Sequence, residues 1–525
     1  MTGIAEFLRE IANTKSGYVK LEQGNYVLRE EDTKPLDLVI SNHRNAMQKR
    51  AAMSISGKTD MTIDGNGSRL IVDGFLIPVA ITDSRNITLK NFIFDLTEPL
   101  FVEGKIVHVG NNFVDVRFLS NRYSIKDGNL FFTVYGKTYP ALHIMEFDVT
   151  KNLFCSTGDL AFGDVPNIRS AERVSSDIVR IYAKINSQLT ADNILIFRFG
   201  LRDNPTIVAD NSENINLENI TIHSSHAMGF IAQRCENVVI HNFTITPEKH
   251  HVSLNADALH FVNCKGNVEI SDSKFEYQLD DALNVHGVYG IVDKILDEKK
   301  VMLSLKDAEQ KGFRYLGVGD RIAFIHSEYM LSRGFGKVKE VSYDGESILL
   351  ETEEAIPQEV SMGWGIENVS FNCFVRMQNC YLHGNRARGV LISTPCGADC
   401  RENTFDSIPG SAVLIAGDMH GWYESGSAKN ILITDNVIRG CGYVPMWGKW
   451  LFNICPELRE YQVGEYYHSD ISITDNRLEQ NHTNCFLFAK SVKGLTAERN
   501  NFDDVQSVHV EHSKFVKLQN EIQML

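Results

Sequence analysis

Two kinds of segment are missing from this sequence of 525 residues. It has no apolar run of about 18 residues or more, the length that a transmembrane helix needs. Its first residues also lack the basic region followed by an apolar stretch that a secretory signal has. We therefore expect no membrane partner, and a cytoplasmic protein as the sequence stands, or a secreted or periplasmic one if a leader has been removed.

Paired cysteines are missing as well. The ten cysteines are scattered without a CxxC pair, and Cys396 and Cys400 lie four residues apart with no second pair beside them. A zinc site needs a second clustered pair or neighbouring histidines. The sequence thus predicts free thiols in a reducing compartment, no metal and no cofactor.

Positive charge is scarce. The chain has 52 basic against 67 acidic residues, a net charge of −15. This balance argues against nucleic acid as a partner, because binding to phosphates requires basic side chains. It also disfavours polyanionic polymers such as pectate, which an acidic protein repels at long range. A neutral ligand fits the charge better.

A short phrase recurs along the chain, in which Asn precedes alternating apolar residues and a second Asn or Asp. Copies begin at Asn86, Asn214, Asn237 and Asn430, and the second and third lie 23 residues apart. Alternation predicts short strands with one buried face, and Asn or Asp tolerates the turn conformation. A period of about 20–30 residues is typical of solenoids, but the Leu frame of leucine-rich repeats is missing. The pattern predicts an all-β fold, a right-handed parallel β-helix.

The repeat is interrupted twice, by stretches that resemble small antiparallel β modules. Before it, Ile4, Phe7, Leu8 and Ile11 share one helical face, which predicts a short capping helix. The expected units are the N-terminal cap and first coils, an inserted barrel-like module, central coils, a second inserted β module and C-terminal coils. Their predicted ranges are 1–95, 96–210, 211–287, 288–367 and 368–525.

Three aspartates are the strongest functional signal. Asp257-Ala258-Leu259 and Asp281-Ala282-Leu283 are copies 24 residues apart. If the chain repeats at this period, Asp257 lies beside Asp281 on the neighbouring strand, about 4.7–4.9 Å away, with Asp280 one step further. Asp280 and Asp281 would face opposite sides of a strand, so both reach one site only at a bulge or corner. Like charges this close favour an acid/base site over turn caps or calcium ligands.

Two carboxyl groups across a sugar linkage are the minimum for glycoside hydrolysis. In an inverting reaction, Asp280 would be the general acid, while Asp257 and Asp281 would hold and deprotonate the attacking water. Mutual repulsion is expected to raise at least one pKa in the cluster, which helps an acid to remain protonated near neutral pH.

The string from Asp257 to Cys264, followed by Leu279 to Gly287, resembles glycoside hydrolase family 110. The Asn-x-Asp, Asp-Asp and His-Gly elements more distantly resemble the polygalacturonases of glycoside hydrolase family 28. The closer resemblance implies an inverting exo-α-1,3-galactosidase that acts on terminal galactose, of the blood group B type or linear. It implies the same roles for Asp257, Asp280 and Asp281 that stacking suggests. The implied partner is a carbohydrate with terminal α-galactose, and a homodimer stays open.

Further side chains are expected to bind the sugar. His286 would bond a substrate hydroxyl or orient Asp281, Trp422 would stack on the apolar face of galactose, and one of Arg386 and Arg388 would face the site. The predicted substrate-binding residues are Asn255, Asn284, His286, Arg388, Trp422 and Glu424.

Three other functions stay open at this point. A polyuronide hydrolase or lyase would share the fold, but it would need a basic cleft or bound calcium. A noncatalytic carbohydrate-binding β-helix would need aromatic ladders and no clustered acids. A sugar epimerase could use the same carboxylates.

Overall fold

The computed structural model describes residues 2–45, 48–163, 167–185, 189–200, 202–502, 504, 506–519 and 522–524. Strands dominate these residues. Within them, the helical elements are one α-helix, Thr2–Asn13, and two short 3-10 turns, Glu30–Asp32 and Pro445–Trp447. None of the described helices is long and apolar enough to span a membrane.

The body of the molecule is a parallel β-helix, as predicted. One of its sheets has 19 strands, in which copies of the recurring phrase pair side by side in parallel. Its strands are Gly17–Lys20, Asn25–Arg29, Thr59–Asp73, Arg85–Leu96, Glu213–Ile222, Glu236–Ile245, Lys265–Ser271, Lys274–Glu276, Cys373–Gln378, Tyr381–His383, Ala398–Arg401, Thr404–Asp406, Lys429–Thr434, Val437–Arg439, His468–Thr474, Arg477–Glu479, Val492–Glu498, Asn501–Phe502 and Lys514–Leu518.

A second row of strands closes each coil. All but the first pair in parallel with the strands of neighbouring coils, and Lys34–Leu36 joins the row antiparallel. They are Lys34–Leu36, Lys49–Ser56, Ile77–Thr82, Ile207–Asp210, Phe230–Gln233, Leu259–Val262, Leu283–Ile295, Val390–Ile392, Val413–Ile415, Phe452–Ile454, Cys485–Lys490, Gln506–Glu511 and Ile522–Met524. Between the two rows, inward Ile, Leu, Val and Phe side chains form one continuous core.

The recurring asparagines have a conformational reason. Asn86, Asn214 and Asn237 all have a positive φ, at 56°, 54° and 55°. Asn adopts this left-handed region more readily than other non-glycine residues. Their side chains also bond from coil to coil, since Asn237 Nδ2 donates to Asn214 Oδ1, and Asn214 Nδ2 donates to Asn86 Oδ1. The phrase therefore marks one repeated backbone kink.

A second asparagine stack, buried, runs through the C-terminal coils. Asn403, Asn436, Asn476 and Asn500 follow one another there, each almost fully buried. In the first three, Nδ2 donates to the Oδ1 of the next asparagine at 2.9–3.0 Å, and the same Oδ1 accepts the donor residue's backbone N–H. We call these four residues the asparagine ladder.

The N-terminal helix packs on the first coils, as expected for a cap. Phe7 and Ile11 are buried in the main core, and the ring of Phe7 lies 6.4 Å from that of Phe92. Leu8 is partly buried against the same core.

Two antiparallel modules are inserted between coils. The first contains a seven-stranded and a three-stranded sheet. Its strands are Phe101–Val109, Phe113–Phe118, Tyr123–Lys126, Asn129–Val134, Lys137–Tyr139, His143–Asp148, Leu153–Phe154, Ile168–Arg173, Val179–Ala183 and Ile194–Arg198. The second grows out of the strand Leu283–Ile295. It adds Lys300–Ser304, Arg321–Ile325, Ser332–Asp344, Ser347–Thr352 and Gly365–Asn368, and the short strand Glu424–Ser425 pairs beside it.

The stacking of coils continues across the second insertion. Leu259 pairs with Leu283, which is the 24-residue offset expected from the two copied segments. Leu283 in turn pairs with Val390, and Val390 pairs with Val413. Four successive coils thus present matching corners, and the predicted aspartates lie at the first two.

Candidate active site

All three aspartates lie in the corners that precede strands of the second row. Asp257 comes just before Leu259–Val262, and Asp280 and Asp281 come just before Leu283–Ile295. The backbone N–H of Ala258 donates to the Asp281 carbonyl at 2.9 Å, which fixes the two corners side by side. Because a corner does not alternate its side chains as a strand does, Asp280 and Asp281 both reach the cluster. The corner that sequence reasoning required is present.

Asp281 is held by the next coil. Arg388 donates to it through Nη2 at 2.7 Å and Nε at 2.9 Å, and the Arg388 backbone N–H adds a third bond at 3.0 Å. Such a forked pair fixes the carboxylate plane as well as its charge. Asp281 is therefore rigidly oriented.

Asp280 lies between two arginines. Arg202 Nη2 donates to Asp280 Oδ2 at 2.6 Å, and Arg386 Nη1 donates to Oδ1 at 3.2 Å. Each arginine has a second acid, because Arg202 also contacts Glu309 and Arg386 forms a fork with Asp159 of the first insertion. The insertions thus contribute charges that anchor Asp280.

Asp257 faces two histidines. His260 Nδ1 lies 2.6 Å from Asp257 Oδ2, and His260 Nε2 lies 2.9 Å from His286 Nε2. The other ring nitrogen of His286 bonds the Gly287 carbonyl at 2.7 Å. These three side chains are at most 3% exposed.

Trp422 lies in a loop that leads into the short strand Glu424–Ser425, and Glu424 is the first residue of that strand. Glu424 Oε1 is 3.4 Å from His286 Nε2 and 3.5 Å from Asn284 Nδ2. The Asp418 carboxylate accepts three backbone N–H groups of this loop, including that of Trp422, which gives the loop a defined shape. Trp422 is 56% exposed, and Arg202 lies 5.9 Å from its ring centre.

The electrostatics divide the acids into two groups. Burial, reinforced by the charge of Asp280, raises the pKa of Asp257 to about 7, against the opposing charges of Arg202 and Arg388. Burial likewise raises the pKa of Asp281 to about 6 and that of Glu424 to about 8. For Asp280, burial is outweighed by Arg386, Arg202 and other arginines, which lower its pKa. In the free protein Asp280 is therefore ionised, while its neighbours hold protons more strongly than ordinary carboxyl groups.

The predicted binding residues take different positions. Asn284, Arg388 and Glu424 lie at the cluster, whereas the Asn255 side chain is occupied by Arg198 and the Gly200 carbonyl. We expected only one of Arg386 and Arg388 to face the site, which is wrong, because the corner turns both toward aspartates.

Orientation of Asp281 by His286, one of the two roles expected for this histidine, is wrong. The His286 ring contacts His260, because it faces the coil of Asp257. A bond from His286 to a substrate hydroxyl stays a prediction. Sequence reasoning missed His260 and Arg202. His260 had a signal, since it follows Asp257 by three residues within the copied segment.

The cluster is nearly closed. Asp257, Asp280 and Asp281 are only 2%, 6% and 1% exposed. A separate cavity of about 550 Å³ lies between the first insertion and the C-terminal coils, lined among others by Phe154, Tyr443 and His482. In the part of the chain that the structure describes, no group of three or more His, Cys, Asp and Glu side chains is arranged to hold a metal ion.

Known families match three parts of the chain. GLAA-B beta-barrel domain I matches residues 102–195, Glycosyl hydrolases family 28 matches 198–292, and GLAA-B beta-barrel domain II matches 300–363. The first and third matches fall on the two insertions, and the second covers the three aspartates.

Curated relatives align with almost the whole chain. Alpha-1,3-galactosidase B of Phocaeicola vulgatus is 28% identical over 91% of this chain and 82% of its own length. Alpha-1,3-galactosidase B of Parabacteroides distasonis is 29% identical over 92% of this chain and 81% of its own. A solved family 28 exopolygalacturonase of Yersinia enterocolitica aligns with 98% of this chain and 75% of its own at a TM-score of 0.41 and 12% identity. The predicted resemblance is confirmed, and the chain is a glycoside hydrolase with a carbohydrate substrate.

Proposed function

We propose that this glycoside hydrolase removes terminal α-1,3-linked galactose from oligosaccharides or glycans, with inversion at the anomeric carbon. The observation that carries the proposal is the stacking of Asp257 on Asp281, with Asp280 at the same corner. Two relatives that align with about nine-tenths of the chain are named for this activity.

The shape of the site supports attack on a chain end. The three aspartates are almost fully buried, while Trp422 at the edge is more than half exposed. A galactose at the end of a chain would reach such buried carboxyls more readily than a sugar inside a chain. Trp422, beside Arg202, offers an exposed aromatic face for the sugar.

The arginines support a neutral sugar over a uronic acid. Arg388 is paired with Asp281, Arg202 with Asp280 and Glu309, and Arg386 with Asp280 and Asp159. A uronate carboxylate would have to break one of these ion pairs to bind any of these three arginines. Galactose hydroxyls make no such demand, since they both donate and accept hydrogen bonds.

In the proposed reaction, Asp280 protonates the departing oxygen, while Asp257 and Asp281 orient and deprotonate water on the opposite face. The ion pairs of Asp280 set a condition. They keep its carboxylate ionised in the free protein, so a proton must reach Asp280 after the sugar binds.

The test is galactose release from α-1,3-galactobiose and from the branched blood group B trisaccharide, followed by NMR of the first anomer formed. We expect β-galactose first, and almost none from the Asp280→Asn variant. Asp475→Asn is the matched control, because Asp475 forms an exposed ion pair with Arg499 far along the C-terminal coils. If the wild type cuts neither substrate, or releases α-galactose first, the proposal is wrong. The ratio of the two rates decides between branched and linear preference.

A further inference from the structure

The buried histidines beside Asp257 have no role in the reaction as written above. Asp257, His260, His286 and the Gly287 carbonyl form a continuous line of three contacts, at 2.6, 2.9 and 2.7 Å. We call the three side chains the Asp–His–His chain. All three distances are normal for hydrogen bonds, so each contact contains a proton.

Counting those protons gives an unexpected result. The Gly287 carbonyl only accepts, so His286 Nδ1 carries a proton. A second proton must lie between the two Nε2 atoms, and a third between His260 Nδ1 and Asp257 Oδ2. An ionised aspartate with two neutral histidines brings only two protons. Three contacts therefore require one proton more than these groups hold in their ordinary state at pH 7.

No neighbour removes this requirement. Glu424 Oε1 is 3.4 Å from His286 Nε2, which is longer than a normal hydrogen bond and half an ångström longer than the distance between the two histidine Nε2 atoms. Without an intervening proton, two nitrogen lone pairs would face each other at 2.9 Å in a nearly dry interior, and such a contact is repulsive.

We propose that His260 and His286 are positioning residues that keep a stored proton on Asp257, and that this proton supplies the general acid Asp280 when the galactoside binds. The second half rests on the proposed function. Burial and the nearby charge of Asp280 raise the pKa of Asp257 to about 7, which agrees with a proton held there.

The stored proton closes the reaction cycle. Asp280 is 6% exposed in the free protein, and a bound sugar shields it further from solvent. This raises the pKa of the Asp280 carboxyl and draws the proton from Asp257. Asp280 then donates it to the glycosidic oxygen as the bond from that oxygen to the anomeric carbon breaks. The oxygen of water bonds to the anomeric carbon, and one water proton passes to Asp257. Asp280 ends ionised and Asp257 protonated, as they began, so one water is consumed and the solvent supplies no proton.

Several charged or titratable groups face the Asp–His–His chain and contribute to its titration. They are Asp280, Asp281, Arg202, Arg388, Glu424, Asp307 and His43. The arginines oppose the storage of a proton and the acids favour it. A test must therefore change a member of the Asp–His–His chain and leave these charged groups in place.

The first experiment examines the free wild-type protein and needs no activity. In ¹⁵N-histidine NMR near pH 6, we expect a nitrogen–nitrogen coupling across the two Nε2 atoms and, in the same spectra, a strongly downfield proton signal from the contact between His260 Nδ1 and Asp257. The first signal alone needs only the two protons of neutral histidines, so the second one reports the stored proton. His260→Gln serves to assign both signals. If either contact lacks its proton, the stored proton does not exist and the proposal is overturned. If both signals are present but the wild type releases no galactose, the proposed function fails and the proton store stands.

The second experiment compares two substitutions of His286. Gln keeps an acceptor for His260 Nε2–H. Leu has none, so neutral His260 carries its single proton on Nδ1, donates it to Asp257 and leaves the Asp257 carboxylate ionised. Activity depends on the stored proton, so kcat/KM falls as the pH rises through the pKa of the Asp–His–His chain. In His286→Leu we expect the basic limb of the kcat/KM profile to move to lower pH by about one unit or more. His286→Gln should retain the wild-type limb.

The control is His468→Gln. His468 is also fully buried and accepts one backbone N–H, but it lies in the C-terminal coils away from the aspartates. A merely structural role for His286 would lower the rates of both His286 variants at every pH without separating their basic limbs. Identical basic limbs in wild type, His286→Leu and His286→Gln would overturn the proposal.

Discussion

The asparagine ladder and the aspartate corners are built by the same repeat, and they behave in opposite ways. In both, one residue type stacks on neighbouring coils in a buried position. An amide donates and accepts, so each asparagine satisfies the next. A carboxylate only accepts, so stacked aspartates satisfy nothing in each other and must be completed from elsewhere.

The hydrogen-bond and charge partners of the aspartates come from residues outside the stack. Arg388 and Arg202 supply positive charge to Asp281 and Asp280, and the histidines supply a proton contact to Asp257. The ladder is finished once its coils are wound, whereas the corners depend on long-range partners. Stacked charge therefore costs stability and yields reactivity, while stacked amides contribute stability alone.

The largest expected effect comes from replacing an aspartate at the corners. Asp280→Asn should lower kcat/KM on α-1,3-galactobiose by about 10²–10⁴, the contribution typical of acid/base catalysis. On an aryl α-galactoside with an acidic leaving group the loss should be much smaller, because such a group departs without a proton. Asp281→Asn should lose activity on both substrates. Steady-state kinetics on the two substrates checks this, and equal losses for Asp280→Asn on both would rule out its acid role.

Asn436→Asp turns one rung of the ladder into a carboxyl group of nearly the same shape. The side chain would lose its contacts to the Cys400 and Thr434 carbonyls and to Asn476, while a charge is buried. We expect a loss of about 2–4 kcal/mol of stability at pH 7 and less near pH 4, where the carboxyl is protonated. Urea unfolding at both pH values measures it. Activity of the folded fraction should stay unchanged, and a stability loss that is independent of pH would contradict the argument.

Asp257→Asn places an amide, as in the asparagine ladder, at one of the aspartate corners. The folded-state pKa of Asp257 is about 7, above the ordinary 3.8, so its ionisation destabilises the folded wild type as pH rises from about 4 to about 7. The variant has no such ionisation. Its stability relative to wild type should therefore increase between pH 5 and pH 8, as measured by urea midpoints of both proteins at each pH. A difference that does not change with pH would mean that Asp257 is ionised throughout.

The smallest effect is expected at the edge of the site. Trp422→Ala removes an exposed ring, so stability should change by no more than about 0.5 kcal/mol. A several-fold rise in KM with nearly constant kcat would agree with a role in sugar binding. Kinetics and a thermal melt give both numbers. A fall in kcat as large as that of Asp280→Asn would instead place the ring at the reacting bond.

Much of the fold and part of the site follow from spacing in the sequence. The 24-residue copy predicts the pairing of Leu259 with Leu283, and hence the neighbouring positions of Asp257 and Asp281. The repeated asparagines predict the kinks of the coils, because Asn adopts a positive φ more readily than most other non-glycine residues. These features depend on one coil and the next, so a period read along the chain is sufficient.

The partners of the aspartates do not follow from spacing. Arg202 and Asp280 are 78 residues apart, and Arg386 and Asp159 are 227 apart. Arg202 lies between the first insertion and the next coil, outside the repeated phrase, and the second insertion separates Asp159 from Arg386. No period therefore connects their numbers. The direction of the Asp280 pKa was equally hidden, since it depends on these arginines and not on the stacked carboxyls that suggested a raised value.

The fork between Asp281 and Arg388 has a consequence for protein synthesis. The two residues are 107 apart, with the whole second insertion between them. At about 5–20 residues per second, a ribosome needs roughly 5 to 20 seconds to add Arg388 after Asp281. During that interval the nascent central coils carry stacked aspartates without this counterion. We therefore expect the central coils to pack stably against each other only after the following coil has been translated. The site is then completed during synthesis of the later half of the chain.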